Sequence, residues 1–165
     1  MRIQLHLATA DDIGGLISLR EAVNRRLLAQ YGEGFWISKL TEKGALFAMR
    51  HSSVYVARHR GKPIATLTLS TRKPWAIDKK HFSKSERPLY LTSMAVDPGY
   101  QRKGVGRGCI DEARRIALQW PGDSIRLDAF DVEAGAGEFY RKCGFRMVGR
   151  AIYRNAPLVY YEMMI

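Results

Sequence analysis

Gly104, Gly106 and Gly108 alternate with Val105 and Arg107, directly after Arg102 and Lys103. A glycine carries no Cβ, so backbone N–H groups beside it can approach a ligand oxygen closely, and basic neighbours add positive potential. The stretch lies between an apolar run (89–96) and a segment of helical period, which suits an anion bound at a helix start. Two common phosphate cradles do not fit. A Walker loop needs Gly-Lys-Ser/Thr, which the chain lacks. A dinucleotide fingerprint needs G-x-G-x-x-G beside the first strand, whereas this turn reads G-x-G-x-G and follows three later strand-like runs. Cys109 and Cys143 match no zinc spacing and read as small thiols in a reducing compartment, so no metal site is expected.

The elements that must position this turn follow from periodicity. Ile3, Leu5 and Leu7 alternate with polar neighbours and predict a half-buried first strand. Asp11 or Asp12 caps a helix with Ile13, Leu16, Ile17, Val23 and Leu27 on one face, broken by the glycines at 32 and 34. A shorter, Gly-interrupted helix is expected across 35–50. Residues 53–60 and 63–71 read as a hairpin turning at Gly61. Residues 72–88 have no period, a proline near each end and an excess of lysine and arginine, the marks of a long functional or mobile loop.

Residues 89–96 are apolar or small on both faces, as in a covered central strand. Beyond the glycines, Ile110, Ala113, Ile116, Ala117 and Trp120 form a helical stripe. A strand at 125–130, a short helix capped by Gly144 and a closing hairpin of 145–153 with 158–165 complete the chain. The order β-α-α-β-β-β-α-β-α-β-β is that of a single α/β (α+β) domain over 1–165 with a mostly antiparallel sheet.

Gln101-Arg102-Lys103-Gly104-Val105-Gly106 matches the Q/R-x-x-G-x-G/A signature of the GNAT acyltransferase superfamily, with the lead-in Val96, Pro98 and Tyr100 in place. Ala136, Phe139, Tyr140, Gly144 and Phe145 are similar to that family's A-x-x-[FL]-Y-x-x-x-G-F motif. With the element order, the resemblance covers nearly the whole chain. It implies a central mixed sheet of about seven strands with about four helices, its central strands diverging to form a cleft for CoA.

The resemblance also implies acetyl-CoA-dependent N-acetyl transfer by direct attack of a primary amine on a small molecule or protein. Backbone and side chains of Gln101, Arg102, Lys103, Gly104, Val105, Gly106 and Arg107 would hold the CoA phosphates. Met94, Ala95 and Val96 would pair with the pantetheine arm, and an N–H near Ala95 or Val96 would face the thioester oxygen. Glu133 stands where many relatives carry an asparagine that touches pantetheine. Tyr140 takes the position of the family's general acid.

The general base is not visible in the sequence. The central strand offers Tyr90, Thr92 and Ser93 but no carboxylate, which leaves Glu86, Asp128, Asp131 and Glu133 near its ends by topology. His6, His51, His59 and His81 are scattered, with His81 in the long loop the first among them. As in relatives, Phe35, Trp36 and Trp75 would wall the acceptor pocket.

At 165 residues, 46% of them apolar and 26% charged, the chain has an ordinary globular composition. Its N-terminus turns polar too early for a secretory signal and no apolar run reaches spanning length, so a cytoplasmic protein with no membrane partner is expected. The net charge of +11 favours anionic partners. A basic nucleic-acid-binding module is the rival reading, with Trp75 and Phe82 among lysines, but no recognised motif supports it and no specific nucleic acid is expected. A catalytically idle CoA sensor is a second rival. The partners then reduce to acetyl-CoA and an amine acceptor, with a homodimer left open.

Overall fold

The computed structural model describes residues 1–165. Seven strands and four helices follow one another as β1 (His6–Leu7), α1 (Ile13–Tyr31), α2 (Glu42–His51), β2 (Ser53–His59), β3 (Lys62–Ser70), β4 (Pro88–Val96), α3 (Val105–Gln119), β5 (Ser124–Phe130), α4 (Gly137–Lys142), β6 (Arg146–Tyr153) and β7 (Ala156–Met164). The strands form one mixed sheet in the order β1-β2-β3-β4-β5-β7-β6. The pairs β1–β2, β2–β3, β5–β7 and β6–β7 are antiparallel, and β4–β5 is parallel. That parallel ladder joins only Pro88–Tyr90 to Ser124–Arg126, whereas β5 pairs with β7 from Ser124 to Phe130. So short a ladder is what diverging central strands produce. No helix is long and apolar enough to cross a membrane.

The chain divides into two compact units, Met1–Leu69 with Ser93–Ala113, and Ser70–Thr92 with Arg114–Ile165. In the first, α1 buries Ile13, Leu16 and Leu19, three residues apart, and Leu16 packs with Val54 and Val56 of β2. Val23 and Leu27 are only half-buried, so the stripe fades toward the C-terminus of α1. Asp12 closes the turn before α1 by accepting from the Thr9 N–H at 2.8 Å, and Arg58 grips it through Nε at 2.9 Å and Nη2 at 2.5 Å. The first strand is shorter than its alternation predicts: Leu5 is buried but Leu7 is 58% exposed. The Leu5 N–H donates to Glu112 Oε2 of α3 at 3.3 Å, so the segment is fastened to a helix instead of extending a ladder. The second helix begins seven residues later than the expected start at 35, at Glu42, where the Thr41 hydroxyl accepts from the Gly44 N–H at 3.0 Å.

The second unit is built around Ile77, Tyr90, Leu158 and Tyr160. Its hairpin β6–β7 turns at Arg154 and Asn155, both with positive φ (49° and 65°), the two-residue geometry whose twist suits antiparallel strands. Helix α4 ends with Gly144 at φ +96°, where the Phe145 N–H reaches the Tyr140 carbonyl at 3.1 Å and the Gly144 N–H reaches Arg141 at 3.0 Å. Trp120, expected on the α3 stripe, lies just beyond the end of that helix and is half-buried.

The long basic loop of this unit is firmly tied. Arg126 of β5 and Glu162 of β7 are both buried and pair at 3.3 Å. Arg126 donates to the Ser83 carbonyl at 2.8 Å and Glu162 accepts from the Ser83 N–H at 3.2 Å. Asp123 accepts from the Glu86 and Arg87 N–H groups and from the Ser85 hydroxyl. A buried charge needs hydrogen-bonded partners to be tolerated, and here the loop backbone supplies them.

Candidate active site

In the first unit, the stretch after β4 folds into a turn held by its own side chains. Asp97 Oδ1 accepts from the Gly99 N–H at 2.8 Å, and Gln101 Nε2 donates to the Val96 carbonyl at 3.0 Å. Lys103 Nζ donates to the Gly99 carbonyl at 2.8 Å and lies 5.9 Å from the Tyr100 ring centroid. The Tyr100 hydroxyl meets His59 Nδ1 at 2.8 Å, tying the turn to β2. Arg102 and Gly104 take positive φ values of 59° and 81°, reversing the chain into α3. The first α3 hydrogen bond runs from the Gly108 N–H to the Gly104 carbonyl at 2.9 Å, so the amides of Val105 and Gly106 precede the helical ladder and point out of its end.

The alternating glycines divide their labour. Gly104 supplies the left-handed turn, and a Cβ built on it would meet nothing within 4 Å, so the space outside the turn is open to a ligand. At Gly108 a Cβ would stand 2.6 Å from Ile3 Cγ1, so that glycine serves packing. Among the basic residues, Arg102, Lys103 and Arg107 are exposed, while Val105 is fully buried and anchors the turn in the core.

On β4, Ala95 is buried and Met94 and Val96 are half-buried. Ser93 just before them has φ +53°, a left-handed kink in the middle of a strand that no glycine marks in the sequence. The Ser93 carbonyl accepts from Arg20 Nη2 of α1 at 3.2 Å. Burial lowers the Arg20 pKa from its ordinary value. Sequence reasoning gave neither the kink at Ser93 nor Arg20, because a serine at positive φ and an arginine on an amphipathic helix carry no local signal. Phe35 and Trp36 touch edge to face at 5.2 Å between ring centroids, with Trp36 Nε1 donating to the Gly32 carbonyl at 3.1 Å.

In the second unit, Tyr140 of α4 is buried against Phe139, Phe145 and Tyr161. Burial, then the charges of Asp128 and Cys143, push its phenol well above the usual tyrosine range. Asp128 of β5 is half-buried, and burial raises its carboxyl pKa. The other carboxylates differ: Asp131 pairs with Arg150 at 2.9 Å, and Glu86 and Glu133 are exposed. His81 packs on Tyr160 at 5.3 Å between ring centroids, and Trp75 is 89% exposed.

A family model described as "Acetyltransferase (GNAT) family" matches residues 19–145. No curated protein matches the chain. Solved structures with a similar fold include Ard1 from Thermoplasma volcanium, with a TM-score of 0.74 at 16% identity, covering 100% of this chain and 99% of that one. PaiA N-acetyltransferase from Thermoplasma acidophilum, in complex with coenzyme A, gives 0.73 at 16%, covering 99% and 100%. YncA, a putative acetyltransferase from Salmonella typhimurium with its cofactor acetyl-CoA, gives 0.68 at 14%, covering 99% and 94%.

Proposed function

This chain belongs to the GNAT family of acetyltransferases, and on that premise we propose that it transfers the acetyl group of acetyl-CoA to a primary amine. The observation that carries the reading is the turn into α3, with Gly104 in a left-handed conformation, open space outside it, amides ahead of the helical ladder and exposed arginines around it. A pyrophosphate needs several donors and positive potential, and no base beside it. The fold neighbours named as complexes with coenzyme A or acetyl-CoA support the same co-substrate.

In this reading the amides of residues 101–107 and the side chains of Arg102 and Arg107 hold the phosphates. Gln101 and Lys103 act through the turn, since both bond to its own carbonyls. Met94, Ala95 and Val96 receive the pantetheine arm, and an N–H at Ala95 or Val96 stabilises the oxyanion as the amine adds to the thioester carbon. Collapse breaks the C–S bond, and Tyr140, whose phenol pKa burial raises, donates its proton toward the departing thiolate. Phe35, Trp36 and Trp75 flank the acceptor, and the exposed Glu133 lies along the pantetheine.

The test is calorimetric titration with acetyl-CoA, followed by thiol release across a panel of primary amines. Saturable binding with amine-dependent release of CoA is expected. Binding without release from any amine would leave a CoA sensor, and no binding would overturn the reading.

A further inference from the structure

Asp128 is a carboxylate with no cation to answer it. By register with β7, Arg126, Asp128 and Phe130 share the face on which Glu162, Tyr160 and Leu158 stand opposite them. Its neighbours on that face are fully employed: Arg126 is paired with Glu162, and Phe130 packs on the cluster of Ile77, Tyr90, Leu158 and Tyr160. The Tyr160 hydroxyl is also committed, donating to the Ala76 carbonyl at 2.5 Å and accepting from the Asp78 N–H at 3.3 Å. Tyr140 of α4 and Tyr160 of β7 both feel the charge of Asp128, Arg126 and Glu162 stand two positions along the same face, and Asp78 and His81 belong to the loop that meets Tyr160. The only hydrogen bond acting on its carboxyl comes from its own backbone.

A half-buried carboxylate left in this state destabilises the fold, and such groups gather where chemistry needs them. We propose that Asp128 is the general base that takes the proton of the acceptor ammonium. The inference rests on the acetyl-transfer reading and deepens it. It lies on β5 two residues past Arg126, the last residue of the β4–β5 ladder, and its charge is felt by Tyr140.

The ammonium must shed two protons to become an amide. Asp128 accepts the first and releases it to solvent, freeing the nitrogen lone pair to form the C–N bond. The second leaves the nitrogen of the tetrahedral adduct and balances the proton that Tyr140 gives to sulfur as the C–S bond breaks. The raised carboxyl pKa brings this base closer to the pH at which an amine is delivered charged.

Asp128→Asn tests this with little change of shape. At neutral pH, kcat is expected to fall by about 10²–10⁴, and the deficit should shrink as pH rises toward the amine's own pKa and the substrate arrives deprotonated. Acetyl-CoA affinity by calorimetry should stay within about two-fold. The melting temperature at neutral pH should hold or rise, because a group whose folded pKa is raised weakens the fold once pH exceeds that value. Lost activity with a lowered melting temperature and no alkaline recovery would make Asp128 structural and overturn the proposal, as would parental kcat with an unchanged pH profile. A parent chain that acetylates no amine removes both readings, whereas an active parent with an unimpaired Asn variant removes only this one.

Discussion

Arg20 of α1 holds the carbonyl of Ser93 at 3.2 Å, at the residue where β4 kinks into the left-handed region. A non-glycine residue at φ +53° is strained, and a charge-assisted hydrogen bond to its carbonyl helps to keep it there. Arg20→Met should cost on the order of 1 kcal/mol of stability, as loss of a partly exposed hydrogen bond does. The sharper expectation is local: amide exchange of Met94–Val96 should quicken and acetyl-CoA should bind several-fold more weakly. Exchange measured by mass spectrometry checks the first, calorimetry the second. Unchanged exchange would mean that β4 keeps its kink unaided.

Gly104→Val puts a β-branched side chain at φ +81°, a conformation it tolerates poorly. The added Cβ meets no protein atom, so the core should survive while the turn rearranges and the ligand space fills. Acetyl-CoA affinity should fall at least ten-fold with a cooperative melt retained. Equal affinity in the folded variant would show that the phosphates bind elsewhere.

Tyr140→Phe keeps the ring among Phe139, Phe145 and Tyr161 and removes only the hydroxyl. The kcat should drop by about 10²–10⁴ while acetyl-CoA affinity barely moves. Because burial raises the phenol's pKa, no limb from its titration should appear below about pH 10 in the parent profile. Turnover within a few-fold of the parent would reduce Tyr140 to packing.

The turn into α3 was legible because backbone demands write themselves into residue types. The left-handed entry to α3 needs a glycine, and Gly104 is there; the Gly144 cap and the closing hairpin were legible for similar reasons. The short first strand was not, since Leu5 and Leu7 alternate correctly and only the distant Glu112 diverts the chain. Nor could spacing reveal that Gly108 makes room for Ile3, or that the long basic loop is pinned by a buried ion pair 36 residues apart in sequence. Such facts depend on tertiary neighbours that local periodicity does not encode.

That ion pair should matter to stability. Glu162→Ala leaves Arg126 buried without its carboxylate, a loss typically worth about 3–5 kcal/mol, and also frees the Ser83 N–H. Urea unfolding should show a lower midpoint, and limited proteolysis should first cut within 72–88. A midpoint equal to the parent's would mean that the Asp123 and Tyr160 contacts hold the loop without the ion pair.

The Asp12–Arg58 pair sets an acid threshold. Hydrogen bonding from Arg58 holds the Asp12 carboxyl below the ordinary aspartate value. Its stabilisation is therefore present above that ordinary value and is lost as pH falls through the depressed one. Asp12→Asn should lose about 1–2 kcal/mol at neutral pH, the lower part of the range for bonds between charged groups because Arg58 is partly exposed. The variant's stability should then converge on the parent's in strong acid. Parallel curves across all pH would show that the charge of Asp12 contributes nothing.

Cys109 sits one turn into α3 with no exposed surface, and burial pushes its thiol pKa up to about 12. Alkylating reagents attack thiolates, so this sulfur stays silent until the start of the helix swings open. It is a clock placed beside the glycine turn. Its labelling rate, read apart from that of Cys143 by peptide mapping, counts openings of the α3 N-terminus. Any molecule that binds only the closed form slows that clock in proportion to its occupancy, giving affinity without a single catalytic turnover.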